Sequence, residues 1–291
     1  MSKIAINELI NLMDLLDEPD EISYDEVRKS ILSFGMSAVP FLETAQDKSF
    51  NILVQDRTKD LLHKINFQNL YSEVHNWATL NSGDLLEGYF LISKFIYPEL
   101  EEEKVMAQVE ALRKEVWLKM KPDMTPFESA GVISKVFFQV KYFSFNDKVL
   151  DYCESLCLNN LLNNKKGFPT GFGLLYAGIA QRLELPIYGV SMPESPFLAY
   201  VLQRGTEELN LKKDVMFYLN PFAEGVFFPK LQIENHVIEK YPNDGDKYVG
   251  ACTNLELILS LVQEMKKSLQ IIHKATKIEE LEILEKALVV E

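Results

Sequence analysis

The sequence predicts an α+β fold, and three observations carry that prediction. Apolar residues recur at helical spacing through most of the first 143 positions. Between residues 185 and 221 the period shortens to brief runs rich in Ile, Val, Tyr and Phe, the composition of strands joined by hairpin-like loops. Helical spacing returns after residue 254, so the strands form one block flanked by helices, as in an antiparallel sheet packed on helices.

In the N-terminal segment, expected to span residues 1–66, Ile4, Leu9, Ile10, Leu12, Met13 and Leu16 share one helical face. Ser23 to Glu26 reads as a capping box ahead of Val27, Ile31 and Leu32, and Gly35 ends that helix. The stretch SAVPFLETA starts another, with Pro40 near the first turn, where its missing N–H costs little. Ile52, Leu53, Leu61, Leu62 and Ile65 make a further stripe. This run of short amphipathic helices resembles a HEAT-like repeat, a unit that has to dock to bury its apolar face.

A second region, residues 67–250, begins with LLEGYFLISKFIYPEL, EEEKVMAQVEALRKEVWLKM and FESAGVISKVFFQV, three helical patterns with Pro98, Pro122 and Pro126 at or near the breaks. Trp77 and Trp117 are expected in the core. The glycine-rich KKGFPTGFGLLYAGIAQRLELP then leads from a loop into an apolar helix, and IYGV, PFLAYVL and DVMFYLNPF follow as strands. In residues 251–291, Asn254–Ile272 and Ile278–Val289 read as two helices resembling a TPR-type hairpin.

Composition excludes several function classes. With 47% hydrophobic and 25% charged residues, burial alone can drive folding. The net charge of -13 is spread along helices, and only isolated basic pairs such as Lys165-Lys166 occur, so nucleic acid is not an expected partner. No run reaches a membrane span and the N-terminus lacks a signal-peptide pattern, which leads to the expectation of a cytoplasmic chain without membrane partners. Three cysteines, Cys153, Cys157 and Cys252, read as buried inert thiols; the first two, at i and i+4, share a helix face, yet the four scattered histidines offer no further ligands at zinc spacing. Neither cofactor nor metal is expected.

Taken together, EGYFLISKFIYPELEEEKVMAQVEALRKEV, the Leu158-Asn159-x-x-Leu162 lead, the Gly167–Pro169 turn, the helix with Tyr176 and Ala180, Leu185-Pro186 and FYLNPFAEGVFF resemble the SirB-type transglutaminase-like family over residues 85–230. The resemblance implies a transglutaminase-like, papain-like core of a helix on an antiparallel sheet. In active members of such folds a Cys at the helix N-terminus is activated by a strand His, oriented by Asp or Asn. Carried onto this chain, those positions fall on Pro169, on Ser195 and Pro196, and on Asn220. Proline supplies no nucleophile, the histidine is absent, and Asn220 has no imidazole to orient. Thr170 reads as the helix N-cap, Cys157 as a thiol without a cationic neighbour, and His236 as a surface helix residue. GFPTGFG lacks the Lys-Ser/Thr of a phosphate loop; Gly171 and Gly173 read as letting the helix approach the sheet.

The expected function is that of a catalytically degenerate module, not an enzyme, that binds a protein or peptide, and the resemblance implies a regulatory role. The alternative is an amidase or peptidase with a relocated nucleophile, Cys157 or Thr170.

Overall fold

A computed structural model of the chain describes residues 3–145, 152–190, 192, 197–202, 210–221 and 223–289. The chain divides into two compact units, Met1–Glu73 and Val74–Glu291. In the first, α1 (Lys3–Asp14), α2 (Glu21–Ser33), a 3₁₀ turn (Gly35–Ala38), α3 (Val39–Lys48) and the start of α4 (Ile52–Leu80) enclose Leu9, Leu16, Ile31, Leu42, Leu61 and Ile65. Leu9, Leu16, Ile31, Leu61 and Ile65 belong to the stripes expected from spacing, but Ile4, Ile10, Ile52 and Leu53 of the same stripes are exposed, because they lie at the edges or ends of their helices. The cap of α2 differs: Asp20 accepts from the Ser23 amide at 2.9 Å, so the helix starts at Glu21 and Ser23 is already inside it. An Asp side chain at the N-cap satisfies an orphan donor as well as Ser does, and it stands one turn earlier. Gly35 takes φ +54, the left-handed conformation in which glycine carries no side-chain penalty. Arg57 is buried beneath the Tyr24 ring, 3.6 Å from its centroid, and donates to the carbonyls of Leu16 (3.0 Å) and Glu18 (2.7 Å) and to Glu21 (2.8 Å). That guanidinium ties α4 to the α1–α2 connection.

The second unit continues with α5 (Leu85–Ile96), α6 (Glu102–Trp117), α7 (Pro126–Ser134) and a π-helical turn (Lys135–Val140). Strand β1 (Ser144–Phe145), α8 (Tyr152–Ser155), α9 (Leu158–Asn164), β2 (Lys166–Gly167) and α10 (Pro169–Gln181) follow. Next come β3 (Ile187–Val190), β4 (Phe197–Val201), β5 (Val215–Asn220), β6 (Val226–Pro229), α11 (Lys230–Lys240) and α12 (Gly245–Tyr248); α13 (Asn254–Ile271) and α14 (Ala275–Leu288) form the C-terminal helical hairpin. The fold is α+β, as the change of period implies. Capping boxes at Thr125/Glu128 and Thr253/Glu256 start α7 and α13. Trp77 is buried, with its indole N–H on the Asp84 carbonyl at 2.8 Å; Trp117, expected in the core, is 58% exposed. It is the last residue of α6, off the buried Val105, Val109, Leu112 and Val116 stripe.

The main sheet is antiparallel throughout, in the order β3-β4-β5-β6, and β1 pairs with β2 in a separate parallel ribbon. One face of the main sheet presents Ala199, Val201, Val215 and Tyr218 to Ile233 and Val237 of α11. The other meets α10, whose residues 171–180 are all buried. Helix α10 is therefore the central element, with α5 on its far side. Its glycines serve α5 more than the sheet. A Cβ on Gly178 would lie 2.4 Å from Leu86 Cγ and one on Gly171 2.9 Å from the Tyr89 hydroxyl, whereas Gly173 meets Leu198 of β4 at an ordinary 3.8 Å. The expectation that Gly171 and Gly173 bring helix and sheet together is corrected: the close approach is helix to helix. Among the described residues no helix is long and apolar enough to cross a membrane.

Candidate functional site

The loop-to-helix junction at the start of α10 is shaped by three backbone features. Lys165 ends α9 in the left-handed conformation (φ 55), Lys166–Gly167 pair as β2 with β1, and Phe168 is extended (φ -97, ψ 163) as the N-cap of α10. Gly167 lets Leu161 pack close, since a Cβ would stand 2.8 Å from Leu161 Cδ1 and turn that side chain aside. Pro169 then opens the helix, where its fixed φ is already helical. The Phe168 ring packs edge-on against Tyr152 (4.0 Å between centroids) and Phe145 (6.2 Å).

Thr170 is not the N-cap expected of it. It is the second helical residue, and its hydroxyl donates to Oε2 of Glu264, on α13. The Tyr152 hydroxyl donates to Oε1 of the same carboxylate. Burial, with the hydrogen bond to Glu264 second, pushes the Tyr152 phenol above its ordinary range, so it stays a donor at neutral pH. A carboxylate near the positive end of a helix dipole is stabilised there. Glu264 and Tyr152 are the residues that spacing arguments missed. The readable signal is on α13, where Leu257, Leu261 and Ser268 are buried and Glu264 stands on the same stripe at i+3 from Leu261. A carboxylate among apolar positions needs a partner.

Asn220 ends β5. Its carbonyl accepts from the amides of Gly225 (2.9 Å) and Ala223 (3.2 Å), which folds the connection into β6. Pro221 is buried and lines a cavity of about 210 Å3 together with Phe172 from the first turn of α10. Phe172 of the first turn of α10 and Pro221 after β5 thus border one space, whereas Pro169, Thr170 and Asn220 do not line it. Ser195 and Pro196 lie outside the described residues.

Cys157 does not share a helix with Cys153. Helix α8 ends at Ser155, and Cys157 is the N-cap of α9, buried, with its thiol 3.6 Å from the Cys153 carbonyl. The i, i+4 spacing coincided with a helix break, which periodicity alone does not resolve. All three cysteines are buried, and burial pushes the Cys252 thiol up to about 12. Among the described residues no cluster of metal-ligating side chains occurs. The four histidines lie outside the sheet: His63 and His75 on α4, His236 exposed on α11, and His273 at the α13–α14 turn.

Comparison with known proteins agrees with this architecture. A UPF0162 protein of Vibrio cholerae is 25% identical over 139 residues, 48% of this chain and 48% of that protein, so the chain spans about half the length of the curated relative it matches. No solved structure matches. The family profile described as the transglutaminase-like superfamily matches residues 103–263, from α6 to the middle of α13, and includes α10, the four-stranded sheet and each of the residues named as lining the cavity. Covering more than half of the sequence in this order of elements, it shows that the chain belongs to the transglutaminase-like superfamily.

Proposed function

We propose that the chain is a SirB-type transglutaminase-like module that has lost acyl-transfer chemistry and acts in the cytoplasm by binding a protein or an extended peptide. The observation that carries this reading is the state of the α10 N-terminus. Pro169 stands at the first helical position, and the neighbouring Thr170 hydroxyl is engaged by a carboxylate. That carboxylate is shared with the Tyr152 hydroxyl, and no imidazole among the described residues stands on the sheet to act as base for Thr170. Cys157, the other candidate nucleophile, is buried at the start of α9 with its thiol turned to the Cys153 carbonyl at 3.6 Å. A peptide would pair along a sheet edge through backbone hydrogen bonds that need no triad. Strand β3 is engaged at Val190 and Gly189 by Ala251 and Cys252, whereas β6 forms the opposite edge.

The test compares the wild-type chain with Thr170→Val and Cys157→Ser on a panel of ester, amide and peptide substrates, alongside a panel of labelled extended peptides. Expected are peptide binding that persists in both variants and hydrolysis no faster than in the variants. A turnover abolished by either substitution would sink the proposal in favour of a relocated nucleophile.

A further inference from the structure

The cavity shared by α10 and the Asn220-Pro221 turn has features that peptide pairing on a strand edge does not use. Four phenylalanines wall it: Phe138, Phe143, Phe145 and Phe172. The Phe143 ring stands nearly perpendicular to Phe172 (85°, 6.0 Å between centroids), and Phe138 is tilted against the same ring at 6.3 Å. The polar lining is Ser144 and the exposed Glu224. Among the described residues no ion pair forms at Glu224.

The backbone around this space is unusual at several points. Phe138 sits in the π-helical turn, Tyr142 before Phe143 has φ 57, and Glu224 has φ 53. Gly225 follows at φ 76, where a Cβ would clash with Ser134 Oγ at 2.0 Å. A π-turn and non-glycine residues at positive φ are costly, and they concentrate where a fold holds a ligand in place.

Aromatic faces carry negative charge, and a carboxylate at the rim adds more, so the complementary ligand is a cation. The volume of about 210 Å3 equals roughly seven waters at ~30 Å3 each, enough for a compact headgroup. A primary ammonium would demand acceptors for three N–H bonds, and among the described residues the polar side chains of the lining are one serine and one exposed glutamate. A quaternary ammonium donates no hydrogen bond and takes its stabilisation from ring faces. The net charge of -13 favours approach of any cation. We infer that this aromatic cavity binds the trimethylammonium headgroup of a small soluble molecule.

Calorimetric titration of the full chain with choline and with 3,3-dimethylbutan-1-ol, its uncharged isostere, tests the assignment. Choline is expected to bind about 10-fold more tightly than the alcohol. Glu224→Gln should weaken choline about threefold and leave the alcohol unchanged. Phe145→Leu, at a ring 46% exposed and so compatible with folding, should also weaken choline. Equal affinity for the alcohol, no saturable choline binding, or indifference to Glu224→Gln overturns the inference. Tighter binding of lysine amide than of choline overturns the quaternary assignment. Binding to phosphatidylcholine vesicles without binding to choline overturns the soluble source. Loss of choline binding with peptide binding intact leaves the proposed function standing, and hydrolysis of peptides with choline bound overturns only that function.

Discussion

Helix α10 carries two hydroxyls six residues apart that are held in opposite ways. Tyr176 is fully buried, donates to the Ala130 carbonyl at 2.6 Å and shares a hydrogen bond with Ser134 at 3.0 Å. All of its partners are neutral and come from α7. Thr170 is half-buried and donates to a charged carboxylate from α13, 94 residues later in the sequence. The middle of the helix is closed by groups that gain only from being paired in a low dielectric, and its start is held by a charge that remains within reach of water. The buried half is scaffold, and the start of the helix is the part that keeps a charged, water-accessible contact.

Substitutions at Tyr176 probe the closed half most strongly. Tyr176→Ala should cost about 3–5 kcal/mol of stability in urea denaturation, the range for truncating a large buried ring, while Tyr176→Phe should cost about 1–3 kcal/mol by leaving Ala130 and Ser134 short of a partner. A Tyr176→Phe variant as stable as the wild type would dissolve the contrast with Thr170.

Away from α10, burial also holds a proton at Cys252, whose thiol donates to the Gly189 carbonyl and should make stability fall in alkali. The folded Cys252 thiol is raised by burial to about 12 from an ordinary 9.0, so its contribution is complete below about pH 9. It is lost as pH climbs from there through 12, because the unfolded chain releases the proton first. Cys252→Ala should flatten the fall of stability across that window, an effect on the order of a few kcal/mol at its upper end. An unchanged pH profile in this variant would show that folding does not shift the titration of this thiol.

The glycines of α10 separate its two packing faces. Gly178→Ala should cost about 1–3 kcal/mol, because the new methyl meets Leu86 at 2.4 Å. Gly173→Ala faces only ordinary contact with Leu198, so the gain in helix propensity, about 1 kcal/mol, should leave stability equal or higher. Reversed signs in thermal unfolding would return the close approach to the sheet side.

The smallest effect belongs to the helix start. Thr170→Val should change stability by less than about 1 kcal/mol, since Glu264 keeps Tyr152 as a partner and water can reach it. A cost of several kcal/mol would make the Thr170–Glu264 contact as structural as the Tyr176 network.

Much of this was legible in the residues. The period change located β3, β4 and β5, and Gly-Phe-Pro marked the start of α10, because a proline at the first helical turn and a glycine before it act through local backbone geometry. Strand β6 was missed because Val-Phe-Phe-Pro shows no alternation, and β1 and β2 because two residues each carry no period at all. The break between Cys153 and Cys157 was invisible for a related reason: i, i+4 spacing survives a helix interruption.

The amino-acid sequence alone determined the local features: where most helices and the three longer strands run, that a proline opens α10, and that the chain is strongly acidic. Tertiary structure decided the rest. That Glu264 reaches Thr170, that Leu86 presses on Gly178, and that four phenylalanines meet around one cavity depend on contacts between segments tens of residues apart. Such contacts leave no periodic trace, because the energy that selects them comes from burial and pairing across elements and not from the conformational preference of any one of them.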